Sequence, residues 1–255
     1  MSHVGTDGMV QSANDIWKND WVVKRFLEGV RGGIPYASDQ LDVMMRLVDA
    51  NPRELTTFLD LGSGSGLLAI DILSRYPEAR ATLVDYSEPM MEAARDLLGE
   101  DATLPNFLLA DLASPDWLNT VAAGAPYDAI VSGFTIHHLP NERKRQLYAE
   151  IYDLLAPGAL LVNVEHVASA SAWVASIWDR AMVDSLSTFA ESQRTGRTRG
   201  MVEREYDERP DQHANKLAPV EDQLAWLRGI GFVDVDCPFK YFELAVLSGR
   251  KPAEG

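Results

Sequence analysis

Short apolar runs alternate with amphipathic stretches along the middle of this chain. Short runs rich in apolar residues are typical of buried strands, and they occur here at 58–61, 81–84, 106–110, 128–133 and 159–164. The stretches between them repeat apolar residues at three- and four-residue spacing, which predicts helices at 67–76, from 87 onward and at 141–155. Strands that alternate with helices predict an α/β fold with a mainly parallel sheet and right-handed crossovers.

Helical patterns also precede the first strand. Apolar residues between 15 and 27 can share one helical face, and glycine and proline residues at 29–35 interrupt that pattern. A second helix is predicted from 38 or 39 to 50, where an Asn-Pro pair ends it. We therefore expect two helices ahead of the sheet.

The alternation stops after the fifth strand, over 166–218. A predicted helix at 171–189 leads there into the polar sequence R-T-G-R-T-R-G at 194–200. We interpret 166–218 as an inserted cap or lid whose arginines could recognise an acidic substrate, although a solvated loop with balanced charge explains the same composition. A helix at 220–229 and two strands within 231–249 then predict a closing antiparallel hairpin.

Composition narrows the class of protein. The chain has 255 residues, a formal net charge of −15 and one cysteine, Cys237, which excludes an internal disulfide and a cysteine-rich metal site. An acidic chain repels nucleic acid at long range, so we expect a small-molecule substrate and no nucleic-acid partner. No apolar stretch approaches membrane-spanning length and no signal peptide is visible, so we expect a soluble, cytoplasmic protein without a membrane partner. The sequence specifies no oligomeric state.

The candidate chemistry begins where the first strand ends. In the sequence F-L-D-L-G-S-G-S-G an apolar run stops at Gly62, Gly64 and Gly66, and a helical pattern starts at Leu67. Glycine permits backbone angles that a Cβ forbids, and such a turn lets a ligand approach the backbone near the positive end of a helix. The dinucleotide fingerprint G-x-G-x-x-G would need its third glycine at Leu67, and the carboxylate of Asp60 would repel a pyrophosphate. The spacing therefore argues against a dinucleotide.

The pattern D-x-G-x-G-x-G resembles the first motif of class I S-adenosylmethionine (SAM) dependent methyltransferases. The resemblance covers most of the chain from Thr57 on. It implies a Rossmann-like, doubly wound, seven-stranded sheet that is mostly parallel and ends in an antiparallel hairpin. It also implies SAM as the cofactor and S-adenosylhomocysteine (SAH) as its product. We expect one methyltransferase domain over 1–255, with the helices of 1–54 over the cofactor cleft and 166–218 as its lid. Within the turn, the resemblance assigns cofactor binding to Asp60, Gly62, Ser63, Gly64 and Gly66.

Acidic residues also follow the next two strands. Asp85 ends the second strand, where a carboxylate with two acceptor oxygens could bind both hydroxyls of a ribose, although a turn or capping role also explains it. Tyr86 and Met90 would offer an apolar surface to an adenine ring or simply pack in the core. The resemblance implies that Asp111 contacts the adenine amino group while Leu112 covers the ring. The alternative for Asp111 is an aspartate that begins a loop.

Three further residues are predicted to contact the cofactor. Ser132 ends the fourth strand, so polar residues end each of the first four strands at the edge where ligands of such sheets bind. Tyr36 and Arg31 lie on the glycine-rich connector between the two N-terminal helices, which the resemblance places over the cleft. A turn with a packed aromatic residue is an equally good interpretation of that connector.

His137 and His138 follow the fourth strand, where a methyl acceptor would lie. Either could act as a general base, because imidazole titrates near neutrality. Alternatively, both are structural and cap or pack against the next helix. No carboxylate accompanies them at ligand spacing, so we expect no metal site.

The sequence S-G-F-T after the fourth strand narrows the acceptor class. It lacks the Asn/Asp-Pro-Pro-aromatic sequence of enzymes that methylate nucleobase amino groups, the aspartate of metal-dependent catechol-type enzymes, and the paired glutamates of arginine methyltransferases. We therefore expect methyl transfer to O, N or C of a small molecule. The alternative function is a non-catalytic protein that binds SAM or carboxylated SAM. A nicotinamide-dependent oxidoreductase disagrees with the glycine spacing and with Asp60.

Overall fold

Seven strands form one sheet in the order β3-β2-β1-β4-β5-β7-β6 in the computed structural model, which describes residues 31–99 and 105–253. The strands are β1 Thr57–Leu61, β2 Arg80–Asp85, β3 Asn106–Leu109, β4 Tyr127–Gly133, β5 Leu155–His166, β6 Val233–Tyr241 and β7 Leu244–Arg250. Strands β1 to β5 pair in parallel, and β7 runs antiparallel to both β5 and β6. The predicted doubly wound sheet with a closing antiparallel hairpin is confirmed.

Helices connect the strands. They are α1 Ala37–Ala50, α2 Leu67–Arg75, α3 Glu88–Leu98, α4 Trp117–Val121, α5 Asn141–Leu154, α6 Ala172–Ser192, α7 Arg199–Asp207 and α8 Val220–Ile230. At the start of α3 the Ser87 hydroxyl accepts the Met90 backbone N–H at 3.3 Å, and Pro89 occupies the first turn. The helix predicted at 15–27 lies outside the described residues. Among the helices that the structure describes, none has the length and apolar character needed to cross a membrane.

The sheet carries apolar side chains on both faces. Every residue of β1 and all but the last of β4 are buried, which is why these strands are rich in apolar residues. Trp117, Tyr148 and Ile151 belong to the core on one face, while Met44 and Ile72 belong to the core on the other. The strand order reverses between β1 and β4, so their carboxyl ends open into the crevice where ligands of such sheets bind.

The connection from α5 into β5 differs from the prediction. The sequence predicts that the Pro-Gly pair at 157–158 separates a helix from a strand, whereas β5 already begins at Leu155. The pair lies inside β5, where the pairing with β4 shifts from Tyr127↔Leu155 to Ala129↔Leu160. The irregularity gives β5 more residues than β4 over this stretch, and proline is tolerated in a strand at such a bulge.

The segment 166–218 forms two helices, α6 and α7, followed by the 3-10 turn Pro210–Ala214. The helix predicted at 171–189 corresponds to α6. The second helix, α7, was missed because its sequence is mostly charged and lacks a clear apolar stripe. Ser171 and Thr198 precede the two helices, and their hydroxyls accept backbone N–H groups of the first turn at 3.3 and 3.4 Å.

Candidate active site

A cavity of about 590 Å³ opens at the carboxyl ends of β1, β2 and β4. One side of it is lined by residues singled out from the sequence: Gly62, Ser63, Gly64, Asp85, Tyr86, Met90, Asp111, Leu112, His137 and His138. Residues of α6 and α7 line the opposite side. The fold therefore brings these separated segments of the chain to one edge of the sheet.

The turn after β1 depends on glycine at two positions. Gly62 and Gly64 have φ values of 63° and 52°, a conformation that residues with a Cβ rarely adopt. A Cβ on Gly62 would lie 2.1 Å from the Thr135 hydroxyl, so packing within the protein requires this glycine. A Cβ on Gly64 would meet no protein atom within 4 Å. The backbone at Gly64 therefore borders space that a ligand could fill.

Asp85, at the end of β2, forms hydrogen bonds that stabilise this turn. Its Oδ2 accepts the Gly64 backbone N–H at 2.8 Å, and its Oδ1 accepts the Ser87 backbone N–H at 2.8 Å. Burial raises the pKa of the Asp85 carboxyl, and these backbone hydrogen bonds oppose the rise. A carboxylate has about four lone-pair sites, so acceptor capacity remains for a ligand. Bracing the turn and binding a ligand are therefore compatible roles.

Asp111 and Leu112 continue the wall beyond β3. Asp111 Oδ1 accepts the backbone N–H two residues further on at 2.8 Å, which orders this turn. Leu112 is buried, and its carbonyl accepts a hydrogen bond from Arg143 Nε at 2.7 Å. Met90 and Tyr86 add apolar surface to the same side of the cavity. An acceptor carboxylate thus lies beside apolar side chains, as recognition of an aromatic ring with an amino group requires.

Asp60, Gly66 and Ser132 lie away from the cavity wall. Asp60 is completely buried within β1. Ser132 is also buried, and its hydroxyl donates to the Leu61 carbonyl at 2.9 Å, which ties β4 to β1. Gly66 precedes α2, and a Cβ there would lie 3.1 Å from the Leu98 side chain. These residues support the turn from within the protein.

The connector before α1 also differs in part from the prediction. Tyr36 is 51% exposed and lies off the cavity wall, and its ring packs against Tyr241 with centroids 4.6 Å apart. This packing agrees with the alternative interpretation, in which the connector is a turn with a packed aromatic residue. Arg31 begins a 3-10 turn, but its side chain lies outside the described residues. Ile34, which the sequence analysis did not single out, lines the cavity from this connector.

His137 forms a buried pair with Glu165. The 3-10 turn that carries His137 follows β4, and His137 Nδ1 lies 2.7 Å from Glu165 Oε1 near the end of β5. Burial lowers the pKa of His137 well below its usual value and raises the pKa of Glu165 to about 7. When Glu165 is ionised, Nδ1–H of the neutral imidazole donates to it, and Nε2 is the nitrogen that can accept a proton.

A buried network fixes Glu165. Its Oε2 accepts from Asn163 Nδ2 at 3.2 Å, and its Oε1 accepts the His166 backbone N–H at 2.8 Å. The Asn163 amide also donates to the Tyr148 hydroxyl at 3.1 Å, and that hydroxyl donates to Gln223 Oε1 at 2.6 Å. Glu165, Asn163, Tyr148 and Gln223 are almost inaccessible to solvent. Hydrogen bonds within the protein therefore set the orientation of Glu165.

His138 is held by the chain that returns from α7. Its Nδ1 donates to the Ala214 carbonyl at 3.3 Å, so this nitrogen carries a proton. Burial lowers the pKa of His138. The Lys216 backbone N–H donates to the His137 carbonyl at 2.8 Å, Lys216 Nζ donates to the His138 carbonyl at 3.1 Å, and Lys144 Nζ donates to the Lys216 carbonyl. These contacts favour a structural role for His138 over a role as general base.

A second histidine–carboxylate pair reaches the same cavity. His166 ends β5, and its Nε2 lies 2.8 Å from Glu243 Oε2 in the turn between β6 and β7. The rings of His166 and His137 have centroids 5.5 Å apart. This pair was not among the residues predicted from the sequence, in which the adjacent Glu165 and His166 are its local signal. Among the described residues, no three His, Cys, Asp or Glu side chains are placed to hold a metal ion.

Apolar and cationic side chains complete the opposite wall. Trp178 and Met182 of α6 line the cavity, and the Trp178 ring lies 6.3 Å from the His166 ring. Arg209 also lines it, with its guanidinium 3.8 Å from the centroid of the Tyr206 ring. Arg209 Nη1 donates to the Tyr206 carbonyl at 2.6 Å, and no carboxylate of the described chain forms an ion pair with Arg209. The wall facing the histidines is therefore largely apolar, with a guanidinium near α7.

Residues 58–158 match the family described as a methyltransferase domain. A carboxy-S-adenosyl-L-methionine synthase of Chromohalobacter salexigens is 25% identical over 242 residues, which cover 91% of this chain and 82% of that protein. A malonyl-[acyl-carrier protein] O-methyltransferase 1 of Ilyobacter polytropus is 26% identical over 123 residues, which cover 48% of this chain and 41% of that protein.

Solved structures share the fold. Human N-acetylserotonin methyltransferase in complex with SAM superposes with a TM-score of 0.63 at 14% sequence identity. The superposition covers 96% of this chain and 60% of that chain, so the present chain spans less than two thirds of the solved protein. At this identity the likeness concerns the architecture of the sheet and its helices.

Proposed function

Residues 58–158 form a class I SAM-dependent methyltransferase domain, and on this premise we propose that the chain transfers a methyl group from SAM to O, N or C of a small molecule. One observation carries the proposal. A single cavity runs from the glycine turn and Asp85 to the His137–Glu165 pair, so that a donor and an acceptor can meet within it. A protein that only binds SAM needs no such pair.

The donor end of the cavity fits SAM. The open space at Gly64 admits a ligand against the backbone, next to the positive end of α2. Asp85 would accept hydrogen bonds from the two ribose hydroxyls with its remaining lone pairs. Asp111 would accept one from the adenine amino group, while Tyr86 and Met90 pack against the ring. Ser63 and Leu112 complete this end of the cavity.

At the other end, the His137–Glu165 pair supplies a general base. SAM itself supplies a methyl group already activated on a sulfonium, so the protein chiefly has to orient the acceptor and exclude water. Where the accepting atom carries a proton, Nε2 of His137 takes it as the methyl group bonds to that atom. Glu165 stabilises the resulting imidazolium through the 2.7 Å contact at Nδ1.

We propose that the segment 166–218 acts as the lid of a single methyltransferase domain over 1–255. Trp178 and Met182 of α6 and Val202 of α7 line the cavity from the side opposite the sheet. Such a cover would exclude water from the sulfonium and provide acceptor contacts. The same segment forms hydrogen bonds with the turn that carries His137 and His138, through Ala214 and Lys216.

Arg209 supports a second candidate function, in which the chain binds carboxylated SAM. A cavity-lining guanidinium without an ion-pair partner in the described chain favours a ligand that carries a carboxylate. The relatives named carboxy-S-adenosyl-L-methionine synthase, which match most of this chain, make a carboxylated SAM one such ligand. Mass spectrometry of nucleosides released from the purified protein distinguishes the two donors, because carboxylation changes the mass.

The methyltransferase proposal is tested by following SAH formation with a panel of phenols, amines and carbon acids. For the wild type we expect SAH in proportion to methylated product. For His137→Asn we expect SAM affinity within about twofold of wild type but at least ~100-fold slower transfer, because general-base catalysis contributes about 10²–10⁴-fold. The exposed His213, which lies off the cavity wall, gives the matched control His213→Asn. Tight SAM binding without SAH formation from any acceptor would favour the non-catalytic alternative.

A further inference from the structure

The pair formed by His166 and Glu243 has no role in donor binding or in the proposed base. His166 lines the acceptor end of the cavity, and its Nε2 lies 2.8 Å from Glu243 Oε2. Both side chains are largely buried, at 16% and 9% exposure. A buried carboxylate in a hairpin turn is costly unless it is hydrogen-bonded, and His166 provides that hydrogen bond.

The hairpin turn between β6 and β7 places Glu243 beside the end of β5. In the antiparallel pairing of β5 with β7, His166 lies opposite Leu244, directly after Glu243. The preceding residue, Phe242, has φ 49°, as the first position of a two-residue hairpin turn requires. Phe134, which lines the cavity beside the histidine turn, has φ 52°, a conformation that is uncommon for a bulky side chain. Strained residues of this kind cluster at functional sites, where the surrounding structure maintains them.

The His137–Glu165 and His166–Glu243 pairs therefore lie next to each other. The rings of His137 and His166 have centroids 5.5 Å apart and planes inclined at 68°. Phe134, Trp178 and Met182 form apolar surface around them. This wall suits a flat apolar ring, and the two imidazoles suit two polar substituents on one edge of that ring.

We propose that the acceptor is a planar aromatic compound with two neighbouring hydroxyl groups, and that His166, oriented by Glu243, binds the hydroxyl that is not methylated. This inference rests on the proposed methyltransferase function and specifies its acceptor. The accepting hydroxyl loses its proton to His137 Nε2 while its oxygen bonds to the methyl carbon. The carbon–sulfur bond breaks and its electron pair stays on sulfur, which gives SAH and an aryl methyl ether.

The acidity of phenols favours an aromatic acceptor over an aliphatic alcohol. A phenol has a pKa of about 10, as in tyrosine, whereas water has about 15.7. With water taken as the reference for an aliphatic hydroxyl, an imidazole can take a proton from a phenol at a far smaller free-energy cost than from an aliphatic alcohol. Hydrogen bonding of the neighbouring hydroxyl to His166 would also fix which oxygen faces His137.

The test uses the full chain saturated with SAH and two chromogenic probes, 4-nitrocatechol and 4-nitrophenol, whose ionisation and binding change their visible absorbance. We expect the wild type to bind 4-nitrocatechol about tenfold more tightly, as one added hydrogen bond implies. His166→Phe should reduce that preference to about twofold or less, and Glu243→Gln, whose amide oxygen can still accept a hydrogen bond from His166, should reduce it in part. Neither variant should change 4-nitrophenol affinity by more than about threefold. His166→Gln, which keeps a hydrogen-bonding group, should retain part of the preference.

Each outcome decides the question. An undiminished preference in Glu243→Gln and His166→Phe, or no preference in the wild type, overturns the role of His166. If His166→Phe fails to fold, as judged by lost SAH binding, the milder Glu243→Gln decides alone. A wild-type chain that does not bind SAH contradicts the proposed function itself, and a chain that binds SAH but shows no preference contradicts only the acceptor assignment.

Discussion

Replacement of Asp85 by alanine is expected to weaken SAM binding by about 1.5–3 kcal/mol. Two carboxylate oxygens already accept the Gly64 and Ser87 backbone N–H groups at 2.8 Å, and their remaining lone pairs would accept the two ribose hydroxyls. The substitution removes both ligand hydrogen bonds and also frees the glycine turn. The expected loss corresponds to a dissociation constant roughly 10- to 150-fold higher.

Isothermal titration calorimetry with SAM and with SAH measures this loss. Asp85→Asn is the informative intermediate, because one amide oxygen still accepts hydrogen bonds while the amide nitrogen can only donate. We expect its affinity to lie between those of wild type and Asp85→Ala. Thermal unfolding of each variant separates a loosened turn from a lost ligand contact. An unchanged dissociation constant in a folded Asp85→Ala protein would remove Asp85 from the donor site.

Three further perturbations test other parts of the site. The methyl-transfer rate of the wild type should rise as pH increases through about 7. Burial raises the pKa of Glu165 to about 7, and only the ionised carboxylate stabilises an imidazolium at His137. In Glu165→Gln this pH dependence should disappear. Gly64→Ala and Gly99→Ala each introduce a Cβ at positive φ into open space, so both should lower the free energy of unfolding, yet only Gly64→Ala should weaken SAM binding. Unchanged SAM affinity in Gly64→Ala would show that the turn does not contact the donor. Trypsin should cleave after Arg194 and Arg197 more slowly when SAH is bound, as mass spectrometry of the fragments would reveal, and equal rates would mean that this segment does not close over the ligand.

Local sequence patterns predicted residues that line one side of the cavity. The glycine turn, Asp85 and Asp111 each follow an apolar run directly, and the parallel register brings the ends of such runs to one edge of the sheet. The prediction of strand ends was therefore also a prediction of which residues lie together. Asp60 and Ser132 show the limit of this argument, since both are buried near strand ends and neither lines the cavity.

The two histidine–carboxylate pairs could not be predicted in the same way. Glu165 reaches His137 across 28 residues and Glu243 reaches His166 across 77, and both contacts depend on how neighbouring strands align. The sequence alone does not specify the alignment of β5 with β7. Likewise, α7 carries mostly charged residues, so its helical state depends on packing against α6 rather than on an apolar stripe.

A crystal structure of the complex with SAH tests the central claim most directly. We expect SAH in the cavity with its ribose hydroxyls at Asp85, its adenine between Met90 and Leu112, and its sulfur directed toward the end that holds His137. The Gly64 backbone should contact the ligand within van der Waals distance. A complex with SAH bound elsewhere, or with its sulfur directed away from His137, would contradict the account.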